Sequence, residues 1–511
     1  MGARHRLHDP QSPEDVPPAR SVRRNRLRHF PLSLSVGTSR LDWKRLLTPT
    51  RVRELEGGQP SERVPGESRS EFERDYGRTV YSTPFRRLRD KAQVFPLEPN
   101  DSVRTRLLHS LEVSSVAEDI ATQAVKEVVK SNSQHLSDTD FRDIPLVAAT
   151  CGLIHDIGNP PFGHAGELAI STWFENEFGN DTDFFSRLGT KQSASVQDFF
   201  NFEGNAQATR ILSNVELLVH GDGLNFTAGT MSAGGKYLAT SDNVGKNGWH
   251  EFSKPGHFIS EAHIVDLVRS ATGTEGCRHP ITYFVEAADD IVYCSVDLED
   301  GIRRGVLSWD DVEAKLLKEA DESPLVKRVI SAAKKHAEPL KSEGKAYHSA
   351  LAQTFRIAAI SEMAVAARNV FRLRYEDIMN GDYHEELLMD SESEARPLVQ
   401  ASKRILRADL YRHHDILRLE IRGRKVIHDL LSLFWQGVKD YEHAKRDEIS
   451  PKTYPGKIYL LISDNYRRTF ERRMEKMTEN PFYCKLQLIT DQVVGMTDAH
   501  ACQIHKLLTN I

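Results

Sequence analysis

The sequence predicts an all-helical fold. From about residue 105 onward, apolar residues recur every three or four positions, which is the spacing of an amphipathic helix. Runs that alternate between apolar and polar residues, which would indicate strands, are scarce, and no internal repeat stands out. The first strong helical run contains Val113, Val116, Ile120 and Ala124. We therefore predict a single helical body over residues 41–511.

Two segments depart from this helical pattern. Residues 1–40 are rich in arginine and proline and lack the apolar stretch of a secretory signal. We expect a basic, disordered extension or a start codon placed too early, and a basic arm for nucleic acid is the alternative. Residues 221–260 hold eight glycines in a polar stretch, which predicts a long insertion between helices, of the kind that often forms a lid. The rest of the body divides into a core of about residues 100–305 and a C-terminal helical region of about residues 306–511.

Composition and charge exclude several classes of protein. The net charge of −5 gives no overall basic field for nucleic acid, so an anionic ligand must be held by local cations. The five cysteines show no CxxC spacing, which argues against a zinc finger or a disulfide framework and favours a reducing compartment. No run of 18 apolar residues occurs, so we expect no membrane span and a cytoplasmic location.

The most informative segment is LIHDIGNPPFGHAGE, residues 153–167. An apolar helical run ends at His155 and Asp156, and a Gly-Asn-Pro-Pro breaker follows. The adjacent His-Asp pair offers two metal ligands from one backbone segment. Beyond the turn, His164 and Glu167 can lie above that metal as acid–base groups. Three other His-Asp pairs lie in the predicted tail or in charged segments and favour a solvated or packing role: His8-Asp9, His414-Asp415 and His428-Asp429.

Two further segments offer ligands for a cation. His109 lies at the start of the first strong helix, and Asp289 lies where a carboxylate pair interrupts an apolar helix. A buried carboxylate needs a metal or a cationic partner. A solvated helix edge is the alternative for Asp289, and Asp290 is the alternative ligand. Asp289, Tyr293 and Asp297 are spaced by four residues, so they line one helical face.

Five blocks occur in order along the chain: SEFERDYGRTVYSTPFRRLRDKAQVFPLEPNDSVRTRLLHSLEV, HDIGNPPFGHAGE, FEGNAQATRIL, EAADDIVYCSVDLEDGI and ITDQVVGMTDAHA. With these blocks the chain resembles the HD-domain deoxynucleoside triphosphate triphosphohydrolases, and more closely the bacterial deoxyguanosine triphosphatases. The family signature H…HD…D falls on His109, His155-Asp156 and Asp289. The resemblance implies a helical HD fold and one divalent metal ion, Mg²⁺ or Mn²⁺, in that site. It also implies hydrolysis of dGTP, or of other dNTPs, to the deoxynucleoside and intact triphosphate.

The resemblance also implies roles for individual residues. His164 and Glu167 match the acid–base pair. The positions that match substrate contacts are Arg106 and Lys236 for the phosphates, Gln93 and Asp297 for the 3′-hydroxyl, and Val94 and Tyr293 for the walls beside the sugar. The segment around Lys236, GTMSAGGKYLATSDN, is glycine-rich where relatives have bulkier residues and a proline. Asn205 and Arg210 match a further motif, and Arg210 is a third candidate for offsetting triphosphate charge.

Partners and alternatives complete the sequence-based expectations. The resemblance implies a homo-oligomer, a hexamer or a tetramer, and a response to single-stranded DNA or to a nucleotide effector. One alternative function is an HD phosphohydrolase that acts on other nucleotides. Another is a nucleic-acid-binding regulatory protein that keeps the fold without turnover. The basic run Arg86, Arg87, Arg89 and Lys91 predicts a solvated face, with substrate phosphates or a polyanionic effector as the alternative contact.

Overall fold

The computed structural model describes residues 40–60, 65–98, 103–215, 223–245, 248–320, 323–441, 449–476 and 480–509. Apart from Arg40, the expectations for residues 1–40 lie outside these ranges. Within them every regular element is a helix, there is no strand, and β-type pairing is limited to three isolated bridges. The prediction of an all-helical fold is confirmed. None of the helices in these ranges is both long enough and apolar enough to cross a lipid bilayer.

The helices follow one another along the chain. Those before the glycine-rich insertion are α1 Trp43–Leu46, α2 Val52–Leu55, α3 Glu71–Tyr81, α4 Thr83–Arg87, α5 Arg106–Ala124, α6 Lys130–Asn132, α7 Asp138–Ile154, α8 Gly163–Phe178, α9 Thr182–Leu188, α10 Ala194–Phe200 and α11 Gly204–Arg210. One short helix, α12 Ala228–Ala233, lies within the insertion. Those after it are α13 Ala262–Thr272, α14 Pro280–Arg303, α15 Trp309–Glu319, α16 Pro324–Ala337, α17 Lys345–Leu373, α18 Tyr375–Asn380, α19 Arg396–Ile405, α20 His414–Val438, α21 Tyr454–Leu461, α22 Asp464–Lys476, α23 Pro481–Val494 and α24 Asp498–Thr509.

The first hydrophobic core is built around α5, α7 and α14, with α16, α17 and α19 packed outside them. A capping box between Ser137 and Asp140 starts α7, so the unpaired N–H groups of its first turn are satisfied. A Cβ added at Gly152 would lie 2.6 Å from the Cα of Ser114, so glycine is what lets α7 approach α5 this closely. This close crossing brings the start of α5 and the end of α7 together.

The second hydrophobic core is built around α8, α10, α20 and α23. The indole of Trp173 on α8 donates to the hydroxyl of Ser432 on α20 at 2.8 Å. The Phe162 ring packs against Gly423 of α20. Neither core is confined to one side of residue 305, because both draw helices from the two parts of the chain. The segment between α7 and α8, residues 155–162, passes from the first core to the second.

The described part of the glycine-rich insertion lies against α14. The carbonyl of Ala233 accepts from the Thr282 hydroxyl at 2.8 Å. Further along, the N–H of Leu238 donates to the Glu251 carbonyl at 2.7 Å. These bonds hold Lys236, between them, beside α14. The role of the insertion as a lid stays a prediction.

Candidate active site

One cavity of about 690 Å³ collects the residues that the sequence singled out. Eleven of the twelve predicted site residues line it: Gln93, Val94, Arg106, His109, His155, Asp156, His164, Lys236, Asp289, Tyr293 and Asp297. The twelfth, Glu167, lies behind His164 and contacts it. The cavity lies where the two hydrophobic cores meet.

Three side chains from three helices converge at the base of the cavity. His109 comes from the first turn of α5, His155 follows the last turn of α7, and Asp289 lies in the middle of α14. The Asp289 Oδ1 atom lies 3.2 Å from His109 Nε2 and 3.7 Å from His155 Nε2. The three donor atoms lie within 4.8 Å of one another, which is the spacing that a metal ion requires. We call His109, His155 and Asp289 the three-donor cluster.

Hydrogen bonds orient the side chains of the three-donor cluster: His109 Nε2 bonds Asp289 Oδ1, and a backbone carbonyl fixes His155. His155 Nδ1 lies 2.7 Å from the Gly152 carbonyl, so Nδ1 carries the proton and the lone pair is on Nε2. That buried Nε2 atom has no hydrogen-bond partner among the described residues. Burial raises the pKa of Asp289, but the His109 hydrogen bond and nearby positive charges, Lys236 among them, outweigh it and hold the pKa below its usual range. Asp289 is therefore ionised and could serve as a ligand for a cation.

Asp156 and Asp290 are held by cationic partners at the edge of the three-donor cluster. Asp156 Oδ2 lies 2.6 Å from an Arg106 nitrogen and 3.5 Å from His155 Nε2. Its other oxygen accepts from the Asn159 amide at 2.5 Å. Asp290 accepts from Lys403 at 2.8 Å and is not among the converging donors. Of the two neighbouring carboxylates on α14, the geometry favours Asp289 as the ligand.

His164 and Glu167 form a hydrogen-bonded pair at the start of α8, which we call the acid–base pair. His164 Nδ1 lies 2.7 Å from Glu167 Oε2, while 79% of the His164 side chain is exposed. The other Glu167 oxygen accepts from the N–H of Gly204 at 2.9 Å. A Cβ at Gly204 would lie 2.7 Å from that oxygen, so glycine is needed there. The Glu167 hydrogen bond raises the pKa of His164.

Two buried acceptors in the cavity wall have no partner among the described residues. They are Gln93 Oε1 and Asp297 Oδ1. The second oxygen of Asp297 accepts from the Tyr411 hydroxyl at 2.9 Å, and the Tyr411 and Tyr293 rings lie 6.2 Å apart. Burial raises the pKa of Asp297 to about 7. Because buried polar atoms are nearly always hydrogen-bonded, these two atoms are available to a ligand that donates a hydrogen bond.

Sequence reasoning missed the contribution of the C-terminal half to the cavity. Lys403, Arg407 and Tyr411 all line it, and Lys254 of the glycine-rich insertion does so as well. The first three are spaced by four residues, a helical signal that was present in the sequence. A π-helical turn at Leu406–Leu410 continues α19, and such turns often occur at functional sites.

The cavity lining carries more carboxylates than cationic side chains. Its five cationic residues are Arg106, Lys236, Lys254, Lys403 and Arg407. Its seven carboxylates are Asp156, Glu203, Glu286, Asp289, Asp290, Asp297 and Glu420. This excess of two carboxylates, counted without the three histidines of the lining, favours a bound cation in the cavity.

Two expectations from the sequence are wrong. The Arg210 guanidinium does not line the cavity, because it is buried in ion pairs with Asp491 at 2.7 Å and Glu261 at 3.0 Å. The predicted solvated face fails at Lys91, which is buried and donates to the backbone carbonyls of Asn159 at 2.5 Å and Val494 at 2.9 Å. Both side chains bond to residues of α23, Arg210 to Asp491 and Lys91 to Val494. We therefore assign both a structural role and no contact with substrate.

Comparisons with known proteins give consistent relatives. The chain is 33% identical to a deoxyguanosinetriphosphate triphosphohydrolase-like protein of Listeria monocytogenes, over 92% of this chain and 100% of the relative. It is 32% identical to a protein of the same name from Synechocystis, with the same coverage. It is 30% identical to a deoxyguanosinetriphosphate triphosphohydrolase of Yersinia enterocolitica, over 86% of this chain and 93% of the relative. No family model matches the sequence.

Proposed function

This chain belongs to the deoxyguanosinetriphosphate triphosphohydrolase family, and from that premise we propose that it is a metal-dependent hydrolase. Its substrate is dGTP or another dNTP, and its products are the deoxynucleoside and intact triphosphate. One observation carries the proposal: the three-donor cluster and the acid–base pair open into a single cavity that is large enough for a nucleotide. A structural ion-pair network would not explain an exposed histidine held in place by a buried carboxylate.

The residues present fit a divalent cation. His109, His155 and Asp289 would hold it, with Asp156 beside them. Mixed imidazole and carboxylate donors suit Mn²⁺ and similar ions, and carboxylates suit Mg²⁺. The free Nε2 lone pair of His155 and the surplus of carboxylates both support a resident cation. The chemistry that such a cation supplies when bound is Lewis-acid polarisation of a phosphoryl group.

The acid–base pair performs the proton transfer. Hydrolysis forms a bond from a water oxygen to the α-phosphorus and breaks the bond from that phosphorus to the 5′-oxygen of the sugar. The departing 5′-oxygen needs a proton, and the protonated His164 ring donates it. The attacking water loses a proton to solvent, and the ring takes one back from solvent before the next turnover. Glu167 accepts from His164 Nδ1, which fixes the ring and favours its protonated form.

The cavity wall binds the two ends of the substrate differently. Lys236 and Lys254 of the glycine-rich insertion, with Arg106, offset the charge of the triphosphate. The unpartnered oxygens of Gln93 and Asp297 accept hydrogen bonds from the 3′-hydroxyl. The Tyr293 ring lies one helical turn from Asp289 and packs against the sugar, so that a 2′-hydroxyl is excluded. Val94 closes the wall beside Gln93.

Product identification tests the proposal. Purified protein, stripped of metal and then supplied with Mg²⁺ or Mn²⁺, is incubated with each dNTP and with GTP. We expect intact triphosphate and a deoxynucleoside by anion-exchange chromatography and phosphorus NMR. The His109→Ala variant serves as the negative control. Release of pyrophosphate or orthophosphate would indicate the alternative, another HD phosphohydrolase. Binding of single-stranded DNA with no turnover would indicate the regulatory alternative.

Oligomeric state and effectors belong to the same proposal. We further propose what the sequence resemblance implies: a homo-oligomer, a tetramer or a hexamer, and regulation by single-stranded DNA or a nucleotide. Light scattering of the purified chain measures the first. Assays with and without a single-stranded oligonucleotide or a second dNTP measure the second.

A further inference from the structure

The buried carboxylate of Asp498 joins two segments of the cavity wall that are far apart in sequence. Its Oδ1 atom accepts from the backbone N–H of Phe162 at 2.9 Å, and its Oδ2 atom accepts from the backbone N–H of Ala92 at 3.0 Å. Only 1% of Asp498 is exposed to solvent. Ala92 directly precedes Gln93, and Phe162 comes two residues before His164. The Asp498 side chain thus contacts the segment that carries Gln93, the proposed sugar contact. It also contacts the start of α8, which carries His164, the proposed acid.

Neighbouring residues strengthen this connection. We call residues 494–498 the C-terminal turn, which joins α23 to α24. The Thr497 hydroxyl donates to Asp90 at 2.6 Å. The Val494 carbonyl accepts from Lys91 at 2.9 Å, and the same ammonium donates to the Asn159 carbonyl at 2.5 Å. The C-terminal turn therefore contacts both segments through several independent hydrogen bonds.

We propose that Asp498 is a positioning residue, which sets the distance between the sugar-binding segment at residues 92–94 and the acid–base segment at residues 162–164. This inference rests on the proposed function, since it assigns Asp498 a part in that reaction. Asp498 does not line the cavity, so it acts through its neighbours and not by touching substrate.

The chemistry of the carboxylate explains why this residue suits the role. Both Asp498 oxygens are acceptors, so each can take one backbone N–H. An asparagine has one acceptor oxygen and one donor nitrogen, so one of the two N–H groups would face another donor. The turn at Phe162 has a left-handed backbone, with φ of +63°, and therefore depends on a fixed partner to keep its shape. Losing one of the two bonds should let the two segments move apart.

Asp498→Asn tests the proposal with Asp198→Asn as the matched control. Asp198 is likewise buried and accepts from a backbone N–H, that of Ile259 at 3.0 Å. Ile259 does not line the cavity, whereas Ala92 and Phe162, the backbone partners of Asp498, both do. Hydrogen-exchange mass spectrometry should show faster exchange in peptides that contain residues 90–94 and 159–164 for Asp498→Asn, and not for the control. This readout does not depend on turnover.

Kinetics separate positioning from a general loss of stability. Loss of a residue that orients a metal ligand typically costs about 10–100-fold. We expect a comparable fall in kcat for dGTP when the orienting Asp498 is changed, with metal content unchanged. Because Gln93 binds the 3′-hydroxyl, the wild-type preference for dGTP over 2′,3′-dideoxyguanosine triphosphate should shrink in Asp498→Asn and persist in Asp198→Asn. Combining Asp498→Asn with Gln93→Ala should give less than the product of the two separate effects.

The outcomes are distinguishable. If wild-type protein releases no triphosphate from any dNTP, the proposed function fails and the inference fails with it. If wild-type protein is active and Asp498→Asn keeps its kcat and its preference for the 3′-hydroxyl, the inference alone is overturned. Should Asp498→Asn fold poorly, Thr497→Val removes one bond of the same turn at similar volume. A smaller loss of the same preference supports the proposal, and an unchanged preference overturns it.

Discussion

The two hydrophobic cores present their parts of the site in opposite ways. The first core supplies the three-donor cluster from α5, α7 and α14, and His109 there is 1% exposed. The second core supplies His164 from the start of α8, with 79% of its side chain exposed. A metal site needs ligands fixed by packing, because small displacements change coordination. A proton donor must reach both substrate and solvent. The exposed position of His164 suits the proton-donor role that we propose for it.

Charge follows the same division. Among the cavity residues of the first core, charged groups are paired with each other, as with Arg106 and Asp156 at 2.6 Å. On the second side the buried Glu167 carboxylate serves a single exposed imidazole. Loss of one residue of the three-donor cluster should therefore abolish activity. Loss of His164 or Glu167 should affect only the proton transfer.

Loss of a ligand from the three-donor cluster should have the largest effect. We expect His109→Ala and Asp289→Ala each to lose bound metal and activity, by more than the roughly 10–100-fold that is lost when a group hydrogen-bonded to a metal ligand is removed. Elemental analysis of purified variants measures the metal. Asp290→Ala is the matched control, since Asp290 is paired with Lys403 and should leave metal content unchanged. Full occupancy in Asp289→Ala, or a metal-free Asp290→Ala, would contradict the assignment.

Loss of the exposed imidazole should remove chemistry and leave binding intact. His164→Ala should keep its metal and its KM for dGTP, while kcat falls by about 10²–10⁴, the usual contribution of positioned proton transfer. Steady-state kinetics alongside elemental analysis measure both. A variant that keeps more than about a tenth of the wild-type kcat would show that another group donates the proton.

The residues that the sequence located without the resemblance share one property: each lies in or beside a helix whose local pattern is distinctive. Gln93, Val94 and Lys236 lie outside the helices, and only the resemblance identified them. His155, Asp156, His164 and Glu167 occupy one short segment, and their grouping in the structure follows from a single turn. Lys403 and Arg407 reach the cavity only because α19 packs on α14, and no local pattern encodes that contact. Arg210 was misjudged because a cation in a motif looks the same whether it binds phosphate or a buried carboxylate.

Asp498 is a second example of a contact that the sequence does not predict. Its block could be matched by resemblance, but its partners are two backbone N–H groups more than 300 residues away. The sequence does not show which backbone N–H groups a side chain bonds, so only the packed structure identifies these partners.

Glu167→Gln should give a smaller and pH-dependent effect. The hydrogen bond from Glu167 raises the pKa of His164, so the ring stays protonated above its ordinary range near 6.5. Removing the carboxylate lowers that pKa, and the acid is then lost at lower pH. The alkaline limb of the kcat profile should therefore move to lower pH. In a His164→Ala background the same change should have little further effect, because the two residues act as a unit. A limb that moves to higher pH would contradict this role.

Tyr293 and Asp297 belong to the first core, but in the proposed function they contact the sugar directly. A change there should therefore alter the preference between nucleotides more than it alters the proton transfer. Tyr293 and Asp297 follow Asp289 along one face of α14 at steps of about 6 Å. A 2′-hydroxyl would meet the Tyr293 ring without solvation, at a cost of about 1–3 kcal/mol in addition to any clash.

We expect Tyr293→Ala to lose dGTP activity and to narrow the ratio of kcat/KM for dGTP over GTP by about tenfold. Tyr293→Phe keeps the ring and should keep the ratio. Asp297→Asn should weaken both substrates alike, because the 3′-hydroxyl is common to both. If Tyr293→Ala leaves the ratio unchanged, discrimination must come from Gln93 and Val94 on the opposite wall, which is the segment tied to Asp498.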